Sequence, residues 1–174
     1  MGSAVSFGMK VDDAAWKRLR ERVSEVKGMG VKVGVLSQSS ARIDGPATNV
    51  EVAIYNEFGT ETIPERPFLR GSFALHREEY RERLGRIFRN ILDRGADPHK
   101  ELSLLGQKAA ANVKRYITQD GTFAPNAPST LNAKLGLTPR KHKIGPVRAP
   151  KPLEDTGQLV DSISYEVVGA GGEK

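Results

Sequence analysis

The sequence predicts an α+β fold: a small antiparallel sheet packed by two long antiparallel helices, with a long, basic, proline-rich loop. Three observations lead there. Short segments that alternate with a period of two stand near both ends of the chain, whereas residues 67–116 carry apolar side chains at helical spacing. Between Gly121 and Asp155 the periodicity lapses, and six of the ten prolines gather there. At 174 residues the chain fits one domain, 1–174, with residues 121–155 as an extended loop or arm within it.

Residues 4–11 (AVSFGMKV) alternate weakly as a first strand, and Asp12 and Asp13 are good caps for a helix. In that helix Trp16, Leu19, Val23 and Val26 form one apolar stripe opposite Lys17, Arg18, Arg20, Glu21 and Arg22, and Gly28 ends it. Residues 31–36 (VKVGVL) alternate as a half-buried strand, followed by turn formers (SQSSARIDGPAT). Thr48 or Asn49 then caps a short helix through Val52, Ile54, Tyr55 and Phe58, with Gly59 just past its end.

From Pro67 the pattern predicts the longest helix, running to about Arg94. Leu69, Phe73, Tyr80, Leu84, Ile87, Phe88 and Ile91 line one side, and Glu79 with Arg83 and Glu82 with Arg86 are spaced for i,i+4 pairs. Asp97 and Pro98 open a second helix. There Leu102, Leu105, Ala109, Val113 and Tyr116 recur, and the alanines at 109–111 allow close approach of a neighbouring helix. Within the loop, residues 129–135 have the pattern of one helical turn. Residues 155–159 read as a capped turn, 163–168 as a last strand, and the glycine-rich tail as a fraying terminus.

With 27 Lys+Arg against 21 Asp+Glu, the formal charge is +6. Lys134, Arg140, Lys141, Lys143, Arg148 and Lys151 stand in one stretch without an acid, so the remaining bases balance the acids at 21 to 21. The absence of cysteine excludes disulfides, thiolate nucleophiles and Cys-based metal sites. Aromatic residues make up only 6%, which argues against a large aromatic-lined cofactor pocket. No stretch approaches the ~20 apolar residues of a membrane span, and the start lacks the pattern of a signal peptide, so a soluble protein with no membrane partner is expected.

The residues offer little for catalysis. His76, His99 and His142 are isolated, with no HExxH pattern, and no GxSxG elbow occurs. Gly28-Met29-Gly30 lacks dinucleotide-binding spacing, and Gly169-Ala170-Gly171-Gly172 has no helix after it. Glu78, Glu79 and Glu82 interleave with Arg77, Arg81, Arg83 and Arg86, which describes a solvated ion-pair face rather than a metal site. No catalytic, metal-binding or cofactor-binding residue is therefore expected, and the chain reads as a non-enzyme.

Two features remain. The basic stretch 134–151 could contact phosphates, but it has no interleaved aromatics and no nucleic-acid motif, so docking on acidic surfaces of other subunits is favoured. The other feature is the segment from Tyr55 to Arg70. Pro64 and Pro67 force 60–66 to be extended before the long helix opens, giving a rigid elbow between two helices. Phe68 and Leu69 can anchor that elbow, with Arg66 and Arg70 pointing outward as donors suited to a carboxylate; a plain helix start is the alternative.

YNEFGT followed by IPERPFLR, and later STLNAKLG followed by KPLEDTGQLVDSISYEV, resemble in order and spacing the small tailed-bacteriophage proteins of virion morphogenesis, tail completion and head–tail joining. The resemblance covers about residues 50–168. It implies a structural virion protein without enzymatic activity, sitting at the neck as a ring between the head connector and the tail tube. It further implies assembly in the host bacterial cytoplasm, and contacts with the connector or stopper and with tail tube proteins. Double-stranded DNA would lie close by in the lumen. A tail of sixfold symmetry would select a hexamer.

Residues matching the motifs are Glu57, Phe58, Gly59 and Thr60; Arg66, Pro67, Phe68, Leu69 and Arg70; and Pro152, Leu153, Asp155, Thr156, Gly157 and Leu159. Their implied role is in the fold and in subunit contact. Together with the basic loop, the expected contact residues are Arg66, Phe68, Arg70, Arg140, Lys141, Lys143, Arg148, Lys151 and Asp155. The stretch TPRKHKIGPVRAP departs from the family pattern, and a nucleic-acid-binding module using residues 134–151 is the alternative function.

Overall fold

The computed structural model describes residues 12–36, 42, 47–138 and 151–169. The expected first strand at 4–11, the bases at 140, 141, 143 and 148, and most of the glycine-rich tail lie outside them. Helix α1 (Asp13–Val26) is capped by the Asp12 carboxylate, which accepts from the Ala14 and Ala15 amides at 3.0 and 3.1 Å. Gly28, at φ +78°, turns the chain into β1 (Gly30–Val35). That strand pairs antiparallel with β2 (Ile163–Val168), Gly30 opposite Val168 and Val35 opposite Ile163. Between them come α2 (Asn49–Phe58), α3 (Phe68–Leu75), α4 (Arg77–Arg94), α5 (Pro98–Arg115), a π-helical turn (Tyr116–Asp120), α6 (Pro128–Lys134) and α7 (Gln158–Asp161). The fold is α+β, as the sequence predicts.

Helix α5 is the spine, starting at the expected Asp97 cap and Pro98. Its Ala110 and Val113 join Phe68, Ile117, Leu159, Val160 and Ile163 in one apolar cluster. Its Leu102, Leu105 and Ala109 join Tyr80, Ile87 and Ile91 in a second. The small residues at 109–110 serve the sheet as well as a neighbouring helix. At Gly106 a Cβ would overlap the Tyr165 ring, so a glycine is what lets α5 lie against β2. Helices α4 and α5 run antiparallel: Asn112, near the end of α5, donates to the Tyr80 hydroxyl near the start of α4 at 3.0 Å, and Lys108 lies 3.6 Å from Glu79.

Two expectations need correction. The helix predicted from Pro67 to Arg94 is two helices, broken at His76 (φ −101°, ψ 11°). The break lets α3 bury Phe68 in the first cluster while α4 buries Tyr80, Ile87 and Ile91 in the second, which a straight rod with one stripe would not reach. The i,i+4 pairs of Glu79 with Arg83 and Glu82 with Arg86 do not form; Glu79 instead meets His76 and Lys108. The apolar stripe expected on α1 is covered at one end, where Val26 packs against the second cluster, while Trp16 is 51% and Val23 46% exposed among the described residues.

Candidate functional site

The motif-bearing elbow is a closed hydrogen-bonded unit. Thr48 caps α2 in a reciprocal capping box with Glu51, whose carboxylate is held below its ordinary value by the Thr48 amide and then by the Thr48 hydroxyl. At the other end Gly59 adopts φ +74°, and a Cβ there would stand 3.1 Å from both the Ile63 carbonyl and the Glu65 amide. Thr60 closes the turn, its amide donating to the Ile63 carbonyl at 2.9 Å and its hydroxyl accepting from the Thr62 and Ile63 amides.

Helix α3 opens with Pro67 at the cap position, which offers no side-chain acceptor. Glu57, from the last turn of α2 and 3% exposed, supplies one instead. Its carboxylate accepts from the Leu69 and Arg70 amides at 2.8 and 2.9 Å and from Arg70 Nε at 3.0 Å. Arg70 also reaches the Glu57 carbonyl and the Glu65 carboxylate, and its guanidinium stacks 5.0 Å over the Phe58 ring. Hydrogen bonds to Glu57, then to Glu65, push the Arg70 guanidinium further up. Thus Arg70 faces outward as expected, but its carboxylates belong to this chain.

Arg66 contradicts the expectation that it points outward: it is 6% exposed. Its Nε donates to the Ala124 carbonyl at 2.8 Å, one Nη to the Pro125 carbonyl at 2.9 Å, and the other to Asn56 Oδ1 at 3.1 Å. Burial holds its guanidinium below the ordinary arginine value. Those carbonyls lie on the irregular segment that follows the π turn. The turn ends with Gly121 donating to the Tyr116 carbonyl at 2.7 Å, and Phe123 then packs edge-on against the Tyr116 ring. Phe68 is fully buried, the anchor the sequence indicates.

Of the basic stretch, Arg140, Lys141, Lys143 and Arg148 lie outside the described residues. The two described ends face the backbone: Lys134 Nζ donates to the Lys151 carbonyl at 2.7 Å and also to the Glu154 carbonyl, and Lys151 Nζ to the Thr118 carbonyl at 3.3 Å. Asp155 lines a pocket of about 300 Å³ shared by both motif blocks, with Asn56, Ile63, Arg66, Thr130 and Lys134 among its other walls. The structure therefore brings Arg66 and Asp155 together there, while Phe68 and Arg70 act beneath and beside the elbow.

The second cavity is apolar, about 470 Å³, and lies between β1 (Val31, Val33), α4 (Tyr80, Leu84) and α5 (Leu105). Exposed apolar side chains flank the molecule: Phe88 on α4, Trp16 and Val23 on α1, and Ile54, Tyr55 and Phe58 on α2, the last 63% exposed.

No group of three or more His, Cys, Asp or Glu side chains gathers among the described residues. Ser72, His76 and Glu79 follow one another on the α3–α4 junction, with His76 Nδ1 3.4 Å from Glu79. Ser72 is completely buried, however, and neither its hydroxyl nor His76 Nε2 has a hydrogen-bond partner among the described residues. No substrate reaches a sealed serine. Among the described residues no helix is long and apolar enough to cross a membrane.

Sequence reasoning missed Glu57 as a cap and Arg66 as a buried strut. A signal existed for the first: a proline at the cap position of α3 leaves two amides that need an acceptor from elsewhere. No family model, curated protein or solved structure matches the chain.

Proposed function

We propose that this chain is a non-enzymatic structural subunit of a tailed-bacteriophage neck, a tail-completion or head–tail joining component that works as a ring. The family reading rests on the two motif blocks. The observation that carries an assembly role is the apolar surface the described chain leaves open: the α1 stripe, the exposed side chains of α2, and the cleft along β1. Surfaces of that kind mark protein contacts. Heterologous contact between copies closes into a ring when the rotation per step divides a full turn. Among the described residues, the two ends of the basic stretch do not favour the nucleic-acid alternative, since Lys134 and Lys151 are turned to backbone carbonyls.

Deleting this chain's coding sequence from the phage that carries it tests the reading. Filled heads and complete tails that fail to join are expected, with rescue by the wild-type chain in trans. Joined, infectious particles from the deletion would overturn it.

A further inference from the structure

We infer that the pocket bordered by Arg66 is a binding site for a carboxylate, presented by an acidic side chain of another polypeptide. Arg66 is buried, lines the pocket, and has only neutral oxygens as partners: two backbone carbonyls and the Asn56 side-chain oxygen. No acid lies within ion-pair distance of it among the described residues. A buried guanidinium that bonds only neutral groups keeps an uncompensated charge, and its desolvation is recovered best by an anion. Of its five N–H groups three are used, which leaves one on each terminal nitrogen for a two-oxygen acceptor.

The rest of the lining fits the same ligand. Among the described lining residues, Arg42 and Lys134 add two positive charges to that of Arg66 against the single acid Asp155, which leaves the walls net positive. Arg42, Lys134 and Asp155 have hydrogen bonds or ion pairs of their own, so Arg66 is the group on which the inference stands. Thr130 offers a hydroxyl, while Ile63, Pro64 and Leu153 supply apolar contact for the methylenes of a Glu or Asp side chain. Leu153 itself adopts φ +63°, a conformation costly for a leucine, which sets the backbone of this wall. Asp155 in the lining disfavours a phosphate, with its greater negative charge, more than a carboxylate. This inference goes beyond the assembly reading, because a chain that forms no ring still binds the group.

The test is an NMR titration of the full chain at constant ionic strength. The probe is the α-amide of N-acetylglutamate, which carries one side-chain carboxylate; its glutamine counterpart and inorganic phosphate are the comparison arms. Saturable shifts of the Arg66 Nε–H and the Thr130 amide are expected with the glutamate probe, with a midpoint of about millimolar order, as befits a single small anion. The glutamine probe should give none. Thr130→Trp fills the pocket without removing any Arg66 hydrogen bond and should abolish the shifts while circular dichroism and the melting temperature stay unchanged. Four outcomes overturn the inference: no saturation at Arg66, an equal response to the glutamine probe, shifts that survive in Thr130→Trp, or tighter binding of phosphate, which would assign the pocket to a phosphate instead.

Discussion

The elbow between α2 and α3 and the face formed by α1 and the β1 cleft are built on opposite plans. At the elbow, the Glu57 carboxylate, the Thr60 hydroxyl and three of the five Arg66 N–H groups bond within this same chain, over sequence separations of up to 59 residues. Along α1, Trp16 and Val23 are about half exposed, and the cleft beside β1 stays open and apolar. Among the described residues, the first region is held together by bonds within the chain, and the second leaves apolar surface uncovered. Substitutions at the elbow should therefore register in the stability of the isolated chain. Substitutions on the α1 face should register in its association.

The largest effect is expected from Glu57→Ala. It removes the acceptor of two helix-start amides and strands them in a buried site, at a cost of about 3 kcal/mol. A urea titration should show the midpoint falling with an unchanged slope; a shift below about 0.5 kcal/mol would break the comparison at its stronger end.

Gly59→Ala comes next. A positive φ and backbone atoms 3.1 Å from the new Cβ make it destabilising by about 1.5 kcal/mol, read by the same titration.

Thr48→Ala should cost about 1 kcal/mol, the usual worth of a cap. It also carries a pH signature. Glu51 is lowered in the folded state, so its contribution is complete above the ordinary glutamate value and lost as the pH falls through the lowered one. In Thr48→Ala that acid-side loss should shrink, because the hydroxyl no longer bonds the carboxylate; an unchanged stability-versus-pH curve would count against the capping box.

The smallest effect on stability, within about 0.5 kcal/mol, is expected from Trp16→Ser with Val23→Ser, since both side chains are already half in water. Loss of association in a variant that melts like the wild type is the sharpest form of the comparison. A large drop in the melting temperature would mean that the stripe is packed within the chain.

Much of the fold was legible because its signals are local. The Thr48 cap, Gly59, the Asp97-Pro98 start and the alternation of 163–168 each act within a few residues, and each stands where it was expected. What escaped depends on partners distant in sequence. The break at His76 carries no proline or glycine and follows from two separate clusters competing for one stripe. Arg66 was expected to point outward as a donor for a carboxylate; the carbonyls that draw it inward are 58 and 59 residues away. The α1 stripe was legible as a stripe, but periodicity reports an apolar face and not what covers it.

The central claim, that the open face is closed by other copies of the chain, is tested most directly by the mass of the purified protein in solution, measured by light scattering after size exclusion. A closed oligomer several times the 19.0 kDa chain mass is predicted, falling to the single-chain value in the Trp16→Ser and Val23→Ser variant. A wild-type chain that stays at 19.0 kDa at every concentration would contradict the claim.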